Sequence, residues 1–127
     1  DISESWNGAV QEKFAALGFK TDISAISGRN YVGVIERGNC VFEEAVVGPL
    51  DYSGSFDGRI DYTAWSDIMY DEDDVKMEVA GEEEFFDEKG MNILVYDIAK
   101  GRILSEVAIK KQADSEDLEL ETVYLFE

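Results

Sequence analysis

The sequence predicts a single α+β domain, mostly antiparallel or mixed β-sheet, with one amphipathic helix packed on it. Three observations carry this. Trp6, Val10, Phe14 and Leu17 recur at helical spacing and form one apolar stripe. Several later stretches alternate apolar and polar residues with the period of a strand. The run Met91-Asn92-Ile93-Leu94-Val95-Tyr96 is apolar on both faces, which reads as a central strand covered on both sides.

Taken in order, the helix is expected over about residues 4–17 of the segment Asp1 to Gly18. Ser3 or Ser5 is the N-cap candidate, Asp1 and Glu4 suit the positive end of the dipole, and Gly18 suits the C′ position. Phe19 to Gly28 is a connection. Tyr31–Ile35 and Cys40–Val47 form a hairpin around Glu36-Arg37-Gly38-Asn39. Residues 1–47 are thus a helix followed by a hairpin. Gly48 to Gly58 holds the single proline among glycines, serines and aspartates and reads as a surface connection.

Residues 59–127 form the second half of the sheet. Arg59 to Tyr70 alternates at Ile60, Tyr62 and Ala64, with Trp65 and Ile68 on less regular spacing, and Asp71-Glu72-Asp73-Asp74 is an acidic turn. Val75, Met77 and Val79 mark a half-buried strand, and Glu83 to Phe86 leads into the central one. Ala99-Lys100-Gly101 turns the chain into Arg102–Ile109, and Leu118 to Phe126 closes the sequence as a strand.

Composition excludes more than it selects. The 127 residues carry 29 Asp and Glu against 11 Lys and Arg, a formal net charge of −18. Such a surface repels phosphate backbones and anionic lipid, so neither nucleic acid nor membrane is an expected partner. A basic protein surface is the partner that charge alone would favour. There is no His and a single Cys, Cys40. That removes His-based acid–base chemistry, Ser-His-Asp and Cys-His nucleophiles and the usual zinc sites. The acids of residues 71–74, and Asp57 with Asp61, match no EF-hand spacing, and no metal or cofactor is expected. No single carboxylate pair stands out as a glycosidase pair among so many acids. Among the aromatics, Trp6 lies on the helix stripe and reads as core, whereas Trp65 and Tyr70 are freer to stack on a sugar.

Three stretches together resemble the interleukin-like EMT-inducer family, or GG domain, found in secreted cytokine-like proteins and in the stem of an O-mannose N-acetylglucosaminyltransferase. They are Glu12-Lys13-Phe14-Ala15-Ala16-Leu17-Gly18 with Arg29-Asn30-Tyr31-Val32-Gly33-Val34, then Val75 to Gly81, then Lys89 to Asp97 with Gly101. The order differs from the family, where the strand pair comes first and the helix last. The chain therefore looks like a circular permutation joined through Gly48 to Gly58, with Leu118–Glu127 supplying the strand that precedes the helix. The family's cysteine pairs and its Phe-Asp-Thr segment have no counterpart here.

The resemblance implies a non-catalytic, lectin-like accessory module, extracellular or at the cell surface, monomeric, with a glycan as partner. It carries a sugar-binding role to Arg29, to Lys89 where the family has Arg, and to Asp1. Tyr31 or Trp65 would supply the aromatic platform. The competing reading is an acidic protein-interaction or structural domain that binds no sugar.

Overall fold

The computed structural model describes residues 2–67, 74–86, 91–111 and 118–125. The architecture is α+β and dominated by antiparallel sheet, as the alternation requires. A 3-10 turn at Ile2–Ser5 precedes α1, Gly8–Ala16, and a second such turn covers Ile23–Ala25. Nine strands follow: β1 Asn30–Glu36, β2 Asn39–Val46, β3 Leu50–Phe56, β4 Ile60–Asp67, β5 Asp74–Val79, β6 Glu82–Phe86, β7 Met91–Asp97, β8 Arg102–Lys111 and β9 Leu118–Leu125. They hydrogen-bond as β1-β2, β3-β4-β5-β6 and β7-β8-β9, every pair antiparallel and consecutive in sequence. Consecutive pairing needs only short turns. Three of these are X-Gly turns with both residues at positive φ, namely Arg37-Gly38, Asp57-Gly58 and Ala80-Gly81. That geometry matches the right-handed twist of the flanking strands.

Two apolar clusters organise the layers. The first joins Val32 and Val34 of β1, Leu50 of β3, Tyr62 of β4 and Val79 of β5, with Leu94 and Tyr96 of β7 packed against it. The second joins Trp6, Phe14 and Ile23, with Val10, Phe19, Tyr31, Met91 and Ile109 around them. β1 and β7 each serve both clusters, even-numbered residues facing the first and odd-numbered residues the second. Burial of each large side chain stabilises the fold by about 1.5–3 kcal/mol. Aromatic stacking shapes both clusters. Phe42 lies on Tyr52 with ring centroids 3.9 Å apart, and Phe14 lies on Phe19 at 4.4 Å.

The structure corrects the sequence reading in three places. The helix begins at Gly8, capped by Asn7, whose side chain accepts a bond from the Val10 amide at 3.0 Å; neither Ser3 nor Ser5 is the cap. Trp6 therefore enters the core from the segment before the helix, and Leu17, last of the stripe, is 52% exposed. Gly18 does take the left-handed C′ position, with φ +114°. The second correction concerns Gly48 to Gly58, which is β3 and its turn and not a surface connection. Leu50, Tyr52 and Phe56 alternate inward there, and Gly54 makes room for the Tyr62 ring that pairs with it. The circular permutation thereby loses its joining segment. Leu118–Leu125 is a strand, as that reading required, but its register sets Leu120 opposite Ile109 and Leu125 opposite Ser105. Ile109, the β8 residue packed against the Trp6-Phe14-Ile23 cluster, thus pairs with the early part of β9. Asp1, Phe126 and Glu127 lie outside the described residues. The third correction is β7, which is apolar on both faces yet ends its sheet, with β8 in the middle. Its double apolarity reflects the two clusters it separates, although Val95 is 41% exposed.

Candidate functional site

Polar side chains in this protein fall into two kinds. The first kind fastens the helix segment to the sheet. Gln11 accepts from the Trp6 indole N–H at 2.6 Å and the Ile23 amide at 3.3 Å, and donates to the Thr21 carbonyl at 3.0 Å. Glu43 of β2 accepts from the Lys20 and Thr21 amides, each at 2.8 Å, and from the Tyr31 hydroxyl at 2.6 Å. Burial alone would raise the Glu43 carboxyl, but the bonds from Tyr31, Lys20 and Thr21 outweigh it and hold the group below its usual range. The Tyr31 hydroxyl is pushed up, by burial first and by the Glu43 carboxylate second. The Cys40 thiol is also pushed up, by burial first and by the Glu43 carboxylate second. Buried Asn30 fastens β1 in the same way, donating to the Gly48 carbonyl and accepting from the Ser66 hydroxyl at 2.9 Å.

The hairpin tips are fastened too. Arg37 forks onto Asp57 with two bonds of 2.6 Å, Arg59 approaches the same carboxylate at 3.7 Å, and Glu36 accepts from the Asp57 amide at 2.9 Å. An open groove between these tips is lined by Glu36, Arg37, Asn39, Val41, Ser55 and Asp57. Its charges satisfy one another, which leaves little for a ligand.

The second kind of polar side chain lies on the outer face of β3-β4-β5. Since Leu50, Tyr62, Ala64 and Val79 face the core, the odd-numbered residues of β3 and those of β4 up to Trp65, with Lys76 and Glu78 of β5, face away from it, whereas Asp67 at the end of β4 is buried. Register sets Trp65 between Asp51 on β3 and Lys76 on β5, and Thr63 between Ser53 and Glu78. Asp51, Ser53, Ser55 and Asp61 are exposed, while Trp65, Thr63, Lys76 and Glu78 are half-buried. Ser53 and Thr63 share a hydrogen bond of 2.8 Å, and the Ser55 hydroxyl donates to Asp61 at 2.5 Å. Among the described residues, the Trp65 indole N–H and the Asp51 and Glu78 carboxylates have no partner. A flat ring, one open donor and two open acceptors therefore share one face.

The five residues singled out from sequence do not converge. Asp1 and Lys89 lie outside the described residues. Arg29 is exposed just before β1, and among the described residues its guanidinium forms no ion pair. Tyr31 belongs to the helix cluster, its ring against Phe14 and its hydroxyl on Glu43, so it is no platform. Trp65 faces the opposite way, because the first cluster lies between β1 and β4. Packed sheets stand about 10 Å apart, so one sugar cannot stack on both. Sequence reasoning missed Asp51, Ser53 and Thr63. For Asp51 and Ser53 the signal was the alternation from Leu50 to Phe56, hidden by its turn-like composition. Tyr70 and residues 71–73 lie outside the described residues, and no group of metal-binding side chains is found among the described ones. No protein-family model, curated protein or solved structure matches the chain.

Proposed function

We propose that the protein is a non-catalytic, lectin-like carbohydrate-binding module, an accessory domain working outside the cell or at its surface. The observation that carries this reading is Trp65, a half-buried ring on the outer face of β4 whose indole N–H is open among the described residues, placed beside Asp51 and the Ser53–Thr63 pair. A pyranose presents an apolar face to such a ring and hydroxyls to the neighbouring carboxylates. The absence of His and of a paired nucleophile supports binding without turnover. The GG-domain resemblance points to the same activity. Arg29, exposed and without an ion-pair partner among the described residues, is the member of the carried-over set available for a separate glycan contact.

A glycan array on the intact domain tests the reading. Binding that Trp65→Val weakens by about tenfold or more, near 1.4 kcal/mol per factor of ten, is the expected result. An array with no bound glycan rejects it, and reducing-sugar release from a bound polysaccharide rejects the non-catalytic part. The net charge of −18 favours a second reading, docking of a basic protein partner. Neutral-glycan binding should hardly respond to ionic strength, whereas charge docking weakens steeply with salt.

A further inference from the structure

We infer that the outer face of β3-β4-β5 selects an amine-bearing saccharide, a glucosamine-type chain, over neutral or uronic sugars; this rests on the carbohydrate-binding reading above. Asp51 is the direct cross-strand partner of Trp65, and such partners have Cα atoms about 4.5–5.5 Å apart. An aromatic ring face and a carboxylate at that spacing are the two halves of an ammonium site, one through the ring quadrupole and one through a charge-assisted hydrogen bond. Glu78 stands diagonally across from Trp65, opposite Thr63, and adds a second carboxylate to the same face.

The hydroxyls divide differently. Ser53 with Thr63, and Ser55 with Asp61, are bonded to one another. What the face leaves open is therefore anionic acceptors and one indole donor, a set that recognises ammonium groups better than hydroxyls alone. Lys76, opposite Trp65 on β5, is already engaged within the structure, as is Arg59 with Asp57 near the tip of the same hairpin. A uronate would meet Asp51, Asp61 and Glu78 as well as the surrounding field of a −18 protein, and is repelled.

The experiment is calorimetric titration of the intact domain with three β-1,4-linked hexamers, at a pH where the amines are protonated. They are the glucosamine hexamer, its fully N-acetylated counterpart and a mannuronate hexamer, with hexalysine as a fourth ligand. The glucosamine chain should bind about tenfold tighter than the acetylated one, and the uronate should not bind. Asp51→Asn should remove most of that preference by weakening the glucosamine hexamer several-fold more than the acetylated one, and Trp65→Val should weaken both sugars. A diffuse charge attraction, shared among 29 acids, would hardly notice the loss of one. Equal affinity for the acetylated hexamer, or a preference untouched by Asp51→Asn, overturns the amine selectivity and leaves the lectin reading standing. Hexalysine binding as tightly as the glucosamine chain, and through the same Asp51, assigns the face to a basic protein segment and overturns the saccharide. If no hexamer binds, the carbohydrate reading itself fails and the selectivity falls with it.

Discussion

The two tryptophans of this chain mark two regions built on opposite rules. Trp6 is 6% exposed, meets Phe14 edge-on at 5.4 Å, and gives its indole N–H to Gln11 at 2.6 Å. Trp65 lies on the outer face of β4 with its N–H open among the described residues. The carboxylates nearby repeat the contrast. Glu43 is bonded by two backbone amides and the Tyr31 hydroxyl, whereas Asp51 has no partner among the described residues. In the helix segment each of these polar groups holds the fold together. On the outer face the open ones do nothing for the fold, which is the condition for a surface that recognises something else. Residue type alone does not separate structural from recognition groups; partner count does.

The contrast can be broken by substitution. Glu43→Ala should cost the most, about 2–3 kcal/mol after discounting for solvent reach, because it leaves two amides and a tyrosine hydroxyl without their acceptor. Chemical denaturation reads this directly, and a loss under 0.5 kcal/mol would make the Glu43 bonds ornamental. Acid sharpens the same point. A carboxyl held below its usual range stabilises the fold above its unfolded pKa of about 4.5, and that contribution disappears as pH falls through the lower folded value. Acidification also relieves the self-repulsion of a −18 chain, so the curve to follow is wild type minus Glu43→Gln. That difference should be constant near neutrality and shrink below about pH 4.5.

Gly33→Ala comes next, at about 1–2 kcal/mol. A Cβ there would run into the Tyr31 hydroxyl and stand 2.8 and 2.9 Å from the Phe19 ring, which is stacked on Phe14. Thermal unfolding with no change in midpoint would show that the Phe19 ring yields freely. Ala80→Asn should act in the opposite direction and stabilise by about 0.5–1 kcal/mol, because Asn tolerates the left-handed conformation better than Ala. Ala80 has φ +53° in the β5-β6 turn and keeps an amide bond to the Asp61 carbonyl that the substitution preserves. Smallest of all, Asp51→Asn should change stability by no more than about 0.5 kcal/mol. A larger loss would mean that Asp51 belongs to the fold and not to a ligand face.

Much of this fold was legible where one periodicity acted alone. The β1-β2 hairpin around Arg37-Gly38 lies within a residue of its expected place, because β-branched residues and a turn glycine agree there. β3 was illegible because Gly, Ser and Asp signal a loop by composition, whereas Leu50, Tyr52 and Phe56 signal a strand by spacing, and the spacing is what buries apolar area. The helix start was misplaced because Trp6 fits the helical stripe numerically but reaches the core from a 3-10 turn, capped off from α1 by Asn7. Trp65 could be named from sequence as the freer tryptophan. Its neighbours could not, since Asp51 and Glu78 reach it only through cross-strand register. Tyr31 was misread for a related reason: its hydroxyl partner, Glu43, lies across the hairpin, and nothing local announces it.

The measurement that tests this account most directly uses the fact that the chain has two tryptophans and hence two indole N–H resonances. In a 15N-labelled sample, the Trp6 signal should exchange slowly with solvent and stay fixed during titration with a glycan that the domain binds. The Trp65 signal should exchange fast and shift progressively, together with the Asp51 and Thr63 amides. A bound glycan that moves Trp6 and leaves Trp65 unchanged, or a Trp65 indole as protected as that of Trp6, would contradict the assignment of the outer face as the binding surface.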